Sequence, residues 1–176
     1  GRGGASDMKD GESGRAAWRE AGEQSRAALV ESMITGYDHR MRVVNGRLIA
    51  VAKRMPGHVV GDGMQTIEQL VAITNQDPRR GIGHEKVLTR LELDAQADRE
   101  LAAKGYTRSS VAPKDEVVML RRTGNLSTGG TATDVTDIVH PDNAEMAVRA
   151  VRAIGLDVGG VDFLTHDISR SYKEAG

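Results

Sequence analysis

Apolar residues recur at helical spacing in two segments of the chain. One segment, 64–76, is bounded by turn residues on both sides, and its apolar positions are Ile67, Leu70, Val71 and Ile73. The other begins at Pro141 and stops at Gly155, and its apolar positions are Ala144, Ala147, Val148, Val151 and Ile154. Residues at this spacing share one side of a helix, so both segments are predicted to be amphipathic helices.

Two further helices are predicted from composition. The segment 12–28 is rich in Ala, Glu, Arg and Gln, and Trp18 offers it one large apolar contact. A short helix is predicted over 94–103, inside the charged and polar stretch 79–115. Both segments favour helix because these residue types lose little conformational freedom there.

Strands are predicted on both sides of Asn45-Gly46, the strongest hairpin turn signal in the chain. The paired segments are 38–44 and 47–54, and a short strand over 29–31 precedes them. A fourth strand, 116–120, leads into a polar loop rich in glycine. The elements together indicate an α+β fold.

The last predicted strand, 156–164, alternates small and apolar residues around a single carboxylate, Asp162. Burying an unpaired charge is costly. Asp162 is therefore expected to lie at a strand edge, to pair with a cation, or to bind a metal ion.

Composition narrows the classes of partner. The chain has 176 residues, 39% of them hydrophobic, which is enough for the core of one domain. Lys and Arg number 24 against 25 Asp and Glu, so bulk charge predicts neither a nucleic-acid partner nor an anionic membrane. There is no cysteine, which fits a reducing compartment and excludes thiolate chemistry.

Targeting signals are not found in the sequence. No apolar run approaches the length of a membrane span, and the first residues lack the apolar core of a signal peptide. A cytoplasmic protein is expected. Because the chain does not begin with methionine, it is interpreted as an excerpt from a longer protein.

The loop 121–131 carries the clearest candidate chemistry. Its glycines allow backbone N–H groups to approach an anion, and Arg121 and Arg122 add positive charge. Phosphate or carboxylate binding is predicted, with Ser127 as an anion-contacting hydroxyl. A flexible surface loop is the alternative, because Gly, Ser and Thr are common in loops.

Other catalytic classes fit the sequence less well. The five histidines show neither the pair spacing nor the cysteine company of a zinc site, and structural or surface roles are expected for them: His39, His58, His84, His140 and His166. No serine lies in the strand-turn-helix context of a hydrolase nucleophile. His84 has no chemical role that the sequence supports.

Several segments, in one order, resemble the ATP-grasp carboxylate–amine ligases, and among them the cyanophycin synthetases. The segments that carry the resemblance are 34–40, 58–63, 75–81, 83–86, 121–131 and 139–145. The resemblance covers nearly the whole chain and is weakest over 4–23. It implies that residues 1–176 form an incomplete ATP-grasp domain: the hairpin of the nucleotide-binding lobe, a family-specific insertion at about 61–116, and part of the metal-binding sheet.

The resemblance implies that the chain binds ATP. The implied nucleotide contacts are Arg2 and Gly3 near the phosphates, Glu31, Met33 and Ile34 at the adenine, and Asp38 at the ribose. A carboxylate can accept hydrogen bonds from both ribose hydroxyls. Solvated hairpin charge remains the alternative for Glu31 and Asp38.

The resemblance also implies catalytic and substrate-binding residues. Arg40 and Arg122 would steady a phosphate or carboxylate, although a surface salt bridge is an equal alternative for Arg40. The implied substrate contacts are Asn125, Ser127, Thr128, Gly129 and Gly130. Asp162 matches the first of the family's ligands to Mg²⁺. Two further ligands and a nucleotide-contacting lysine would lie outside the chain, so the excerpt alone is expected to be inactive.

The implied reaction is peptide ligation. ATP would phosphorylate the C-terminal carboxylate of a polyaspartate backbone, and the amine of an incoming aspartate would attack the acylphosphate. Arginine would be added by a separate Mur-ligase-like domain, which these residues do not represent. The implied partners are thus ATP, aspartate and an aspartate-arginine polymer primer, with neither nucleic acid nor membrane, and a homo-oligomer is expected for the intact protein.

Two alternatives stay open. One is a glutathione-synthetase-like or other amino-acid ligase, against which the insertion from 61 to 116 argues. The other is a nucleotide-binding module that has lost the metal residues and is not catalytic.

Overall fold

The computed structural model describes residues 11–24, 27, 30, 34–83 and 85–174. The chain divides into two compact units, Gly1–Thr35 and Gly36–Gly176. In the first, helix α1 (Gly11–Gln24) confirms the helix predicted over 12–28, with an earlier end. Of the strand predicted over 29–31, residues 29 and 31 lie outside the described residues. No helix in the described part of the chain is long and apolar enough to cross a membrane.

The second unit contains the other predicted elements and also four short strands that the sequence did not predict, His58–Val60, Arg80–Gly81, Leu88–Thr89 and Thr131–Asp134. In chain order they are β1 (Tyr37–Val44), β2 (Arg47–Met55), β3 (His58–Val60), α2 (Ile67–Thr74), β4 (Arg80–Gly81), β5 (Leu88–Thr89), α3 (Ala95–Ala103), β6 (Val117–Met119), β7 (Thr131–Asp134), α4 (Pro141–Ala153) and β8 (Val158–Thr165). The α+β class and the three helices predicted in this unit are confirmed. The chain also forms 3₁₀ turns at Leu126–Thr128 and Thr136–Ile138.

Four antiparallel strands form the main sheet, in the order β7-β2-β1-β8. The predicted hairpin is its centre, and Asn45 and Gly46 both have positive φ, as a two-residue turn of this kind requires. The pairing shifts by one residue between Arg42 and Val43. Such a bulge changes which residues of the two strands lie opposite each other.

Helix α4 packs on one face of this sheet. The buried core there consists of Met41, Val43, Val51, Ala147, Val151 and Ile168. Side chains alternate along a strand, so Asp38 and Arg40 lie on the face opposite Met41. Ile154, predicted as part of the apolar stripe, instead lies just after the end of α4 and is exposed.

The residues between β3 and β6 have a core of their own. Its buried members are Val59, Ile67, Leu70, Val71, Leu91, Ala97, Leu101, Ala112, Val118 and Leu120. Thr66 and Gln69 form a capping box at the start of α2, and Asp94 caps α3 through the amides of Gln96 and Ala97. Ile73, predicted to face the core, is exposed.

A buried amide ties the end of the described chain to α4. Asn143 is fully buried; its Nδ2 donates to the carbonyls of Ile168 and Arg170, at 2.9 and 2.7 Å, and its Oδ1 accepts from the amide of Tyr172 at 2.9 Å. Buried polar groups that lose their partners cost stability. Asn143 therefore orders the segment that follows β8.

Replacing Asn143 with alanine is expected to loosen this segment. Three backbone partners would lose their hydrogen bonds to a fully buried side chain, which costs about 2 kcal/mol and corresponds to roughly 30-fold faster amide exchange at 168–172. Hydrogen exchange read by mass spectrometry measures this. The exposed Glu145→Ala, on the same helix, is the control; equal exchange in both variants would contradict the assignment.

Candidate active-site face

Four charged side chains form one network on the face of the sheet that α4 leaves open. The Nη1 of Arg40 donates to Asp162 Oδ1 at 2.9 Å. The Nη2 of Arg54 donates to the same Oδ1 and to Asp38 Oδ1, each at 2.8 Å. Strands β1, β2 and β8 thus each contribute to a single cluster of two carboxylates and two guanidiniums.

The centre of the network is its most enclosed part. The side chains of Arg54 and Asp38 are 19% and 25% exposed, whereas that of Asp162 is 56% exposed. The hydrogen bond to Asp38 raises the pKa of Arg54 above its ordinary value, with a smaller opposing effect of burial. Arg54 therefore stays charged and joins Asp38 to Asp162, which in turn contacts Arg40.

The position of Arg40 depends on a glycine in β8. A Cβ placed on Gly160 would lie 2.5 Å from the Cζ of Arg40, well inside van der Waals contact. Because Gly160 has no side chain, the guanidinium of Arg40 can lie against β8 there and donate to Asp162.

Of the three environments predicted for Asp162, which were a strand edge, a cation partner and a metal ion, the structure shows the first two. It lies on β8, which pairs with β1 at one end of the sheet order, and it contacts two cations. Within the described ranges, no group of three or more His, Asp or Glu side chains could hold a metal ion. A single carboxylate whose Oδ1 is shared by two guanidiniums does not by itself fit Mg²⁺, which takes several oxygen ligands.

The glycine-rich loop lies against β2 beside Arg54. A Cβ on Gly124 would lie 2.8 Å from the Cβ of Arg54, so the loop can approach the strand only with glycine there. The amides of Thr128 and Gly130 both donate to the carbonyl of Asn125, and that of Gly129 donates to the carbonyl of Leu126. These three amides form hydrogen bonds within the loop, so an anion would have to be bound by other groups.

The two arginines that begin the loop have partners in the fold. Arg121 is buried; it donates to the carbonyl of Leu120 at 2.9 Å and to Asp94 Oδ2 at 3.1 Å. Arg122 is more exposed and donates to Glu100 at 2.7 Å. Arg121 thus joins the loop to the start of α3, and Arg122 joins it to the same helix further along.

A cavity of about 390 Å³ lies between the loop and the residues around β5. Its lining residues are Arg54, Lys86, Val87, Thr89, Asn125, Leu126 and Ser127. Arg54 connects this cavity to the carboxylate network. The side chains of Asn125 and Ser127 provide neutral polar groups, and Arg54 and Lys86 provide positive charge, a combination that suits an anionic ligand.

The structure brings together part of the predicted site. Asp38, Arg40 and Asp162 share the network, while Asn125 and Ser127 line the adjoining cavity. Ile34 is described and exposed. Arg2, Gly3, Glu31, Met33 and His84 lie outside the described residues.

Three of the histidines for which structural or surface roles were predicted have local structural contacts. The ring Nδ1 of His39 lies 2.8 Å from the carbonyl of Tyr37, and that of His58 lies 2.7 Å from the carbonyl of Pro56. His140 caps α4 by accepting from the amide of Asp142. Burial lowers the pKa of His39, which favours its neutral form.

Sequence reasoning missed Arg54, although it joins the network to the cavity. Only its place at the end of a predicted hairpin strand could have drawn attention to it. Lys86 was likewise assigned no role, although it ends the segment 83–86, one of those that carry the resemblance.

Comparison with known proteins supports the resemblance seen in the sequence. No family model matches the chain. The cyanophycin synthetase of Trichormus variabilis is 49% identical over 174 residues, and that of a Synechocystis species is 48% identical over 176; each match covers 99% of this chain. A bifunctional glutathione biosynthesis protein of Streptococcus agalactiae is 38% identical over 86% of the chain. The chain spans only 19–20% of the length of these relatives.

The fold matches a solved ligase structure. The crystal structure of a bifunctional glutathione synthetase from Pasteurella multocida superimposes with a TM-score of 0.67 and 34% sequence identity, covering 80% of this chain and 19% of that one. This confirms the predicted ATP-grasp architecture. The chain therefore has part of an ATP-grasp fold and is similar over 99% of its length to cyanophycin synthetases.

Proposed function

We propose that the chain is part of an ATP-dependent peptide ligase that adds aspartate to the C-terminus of a polyaspartate backbone. The observation that supports this most is the 46–49% identity to cyanophycin synthetases, which for three of the five relatives extends over 99% of the chain. Arginine addition would belong to a different, Mur-ligase-like domain. Residues 61–116, which include α2 and α3, would be the family-specific insertion in residues 1–176 of the ATP-grasp domain.

The proposed chemistry has two steps. The primer's terminal carboxylate attacks the γ-phosphorus of ATP, which forms an acylphosphate and releases ADP. The aspartate amine then attacks the acyl carbon, and the amide forms as phosphate leaves and the amine loses a proton. Neither step needs a nucleophile from the protein, so catalysis rests on positioning and charge neutralisation.

Arg40 is the side chain best placed for charge neutralisation. Its Nη1 donates to Asp162, and within the described residues its other N–H groups remain to donate to a phosphoryl or acylphosphate oxygen. Arg122 would have to leave Glu100 to take part. Asn125 and Ser127 would contact the primer's carboxylate from the cavity wall, with Thr128, Gly129 and Gly130 shaping the loop that carries them.

The nucleotide is proposed to use the open face of the sheet. Asp38 would accept from the ribose hydroxyls, and Arg2, Gly3, Glu31, Met33 and Ile34 remain the predicted contacts to the rest of the nucleotide. ATP-grasp ligases in general use ATP with Mg²⁺. Asp162 would supply one magnesium ligand, with further ligands from residues outside this chain.

A glutathione-synthetase-like ligase is the second candidate. It is favoured by the 34% identity to the Pasteurella multocida structure and by the 38% identity to the Streptococcus agalactiae protein. The two candidates share the ATP-dependent step and differ in the carboxylate and amine that they join.

Substrate omission distinguishes the candidates. The full-length protein, given ATP, magnesium, aspartate and an aspartate-arginine primer, is expected to release ADP only when aspartate and primer are both present. This first turnover should not require free arginine, so adding arginine to the mixture and omitting it are compared. Coupled ADP detection measures it.

Two outcomes of parallel assays would contradict the proposal. Turnover with glutamylcysteine and glycine alone would select the second candidate. Absence of turnover with either pair, together with binding of ATP by calorimetry, would indicate a non-catalytic nucleotide-binding module. Light scattering of the same preparation would test the expected homo-oligomer.

A further inference from the structure

Arg80 is a buried cation under the glycine-rich loop. It is 6% exposed and lies at the start of β4. Its Nη1 donates to the carbonyl of Thr89 at 2.7 Å and to the carbonyl of Gly129 at 3.1 Å. One guanidinium nitrogen therefore links the end of β5 to the loop that ends at β7.

This arrangement is energetically unusual. Among the described residues, no carboxylate forms an ion pair with Arg80, and its Nε is buried without a hydrogen-bond partner. Burial lowers the pKa of Arg80 from its ordinary value. The charge of Asp77 opposes this effect of burial only in part. A buried charge whose hydrogen bonds, within the described residues, go to two carbonyl groups costs more than an apolar side chain of similar volume, so simple packing gives no reason for arginine here.

The two segments that Arg80 joins both line the cavity next to Arg54. Thr89, from the segment around β5, is one lining residue, and Asn125 and Ser127, from the glycine-rich loop, are two others. At Gly129 the glycine-rich loop packs closely against the residues that follow β5, because an added Cβ would lie 2.7 Å from a methyl carbon of Leu91. Gly129 also has a φ of +89°, a conformation that glycine adopts without strain.

We propose that Arg80 is a positioning residue for the primer: it holds the two segments that line this cavity at the spacing that lets Asn125 and Ser127 meet the primer's terminal carboxylate. The assignment of that carboxylate to the cavity rests on the proposed function. Arg80 itself does not touch the substrate. It acts by fixing the Gly129 carbonyl, and with it the 3₁₀ turn that carries Ser127.

The kinetic test uses Arg80→Ala in the full-length protein. The KM for an aspartate-arginine primer is expected to rise about tenfold, as for the loss of one charged hydrogen bond, while the KM for ATP changes less than about twofold. Guanidinium ion added to Arg80→Ala is expected to lower the primer KM again. Arg79→Ala is the matched control, because Arg79 is exposed and bonds within its own turn to Asp77.

A second measurement needs no substrate. Hydrogen exchange at 121–131 is expected to be at least about tenfold faster in Arg80→Ala than in Arg79→Ala. Arg80→Lys, which keeps the charge, serves if Arg80→Ala does not fold, and is expected to show the same changes in smaller degree. If the wild-type protein has no primer-dependent turnover, the proposed function fails, while this exchange comparison still tests the link between the two segments.

Two results would overturn the inference. One is a primer KM in the Arg80 variants equal to that of Arg79→Ala. The other is a raised KM without guanidinium rescue and without faster exchange at 121–131, which would place the effect elsewhere in the protein.

Discussion

Asp162→Asn is expected to lower primer- and aspartate-dependent turnover of the full-length protein by about 10²- to 10³-fold. The substitution keeps the shape of the side chain and removes its charge. In the structure, Oδ1 of Asp162 accepts from both Arg40 and Arg54, so the neutral amide would leave two guanidiniums facing one carboxylate, Asp38. Arg40 would then lose the partner that fixes its position.

Steady-state ADP release with varied magnesium is the measurement. If Asp162 is also the proposed metal ligand, the variant should need a higher magnesium concentration for half-maximal rate. Asp157→Asn is the matched control, because Asp157 is an exposed carboxylate just before β8. Equal rates in the two variants would remove Asp162 from the active site, and circular dichroism would show that both remain folded.

The hairpin and the helices of the second unit could be predicted because local signals agree with the final packing. Asn45-Gly46 provides the two positive φ values of the turn, and Thr66 with Gln69 provides a capping box. Helix ends were less exact, since α2 begins only after its cap at Thr66. Ile73 and Ile154 have the apolar spacing but lie at or beyond the last turn, where the core no longer covers them.

The composition of the charged network could not be predicted, because it depends on one bulge. If the pairing of Val44 with Arg47 continued along the hairpin without the bulge, Asp38 would lie opposite Lys53. The shift between Arg42 and Val43 instead places Arg54 opposite Asp38, on the same face. Nothing in the sequence marks that position.

The glycine-rich loop shows a different limit of sequence reasoning. Its glycines suggested free backbone amides for an anion, but the amides of Thr128, Gly129 and Gly130 are bonded within the loop. Gly124 serves the close approach to Arg54. A glycine pattern therefore indicates that a backbone comes close to something, whereas only the fold shows whether that is a ligand or another strand.

Arg54 is expected to be as important to activity as Asp162. Its Nη2 lies within 2.8 Å of both Asp38 and Asp162, so Arg54→Met would leave two carboxylates near each other with only Arg40 as a counterion. Repulsion would move both side chains, and a displacement of about 1 Å in a reacting site can cost about 10²-fold in rate. We expect kcat/KM for ATP to fall by about that factor.

Two further variants show why activity is lost. Arg54→Lys tests whether charge alone is enough, and Arg47→Met controls for a substitution elsewhere in the same strand. Lysine keeps the charge but lacks the planar fork, so an intermediate fall of about tenfold is expected if charge neutralisation dominates. Arg47 is exposed at the start of the same strand, and its replacement should leave the rate unchanged. If Arg54→Met kept the wild-type kcat/KM for ATP, the two carboxylates would not need a shared cation, and the ion network would be a feature of the sheet and not of catalysis.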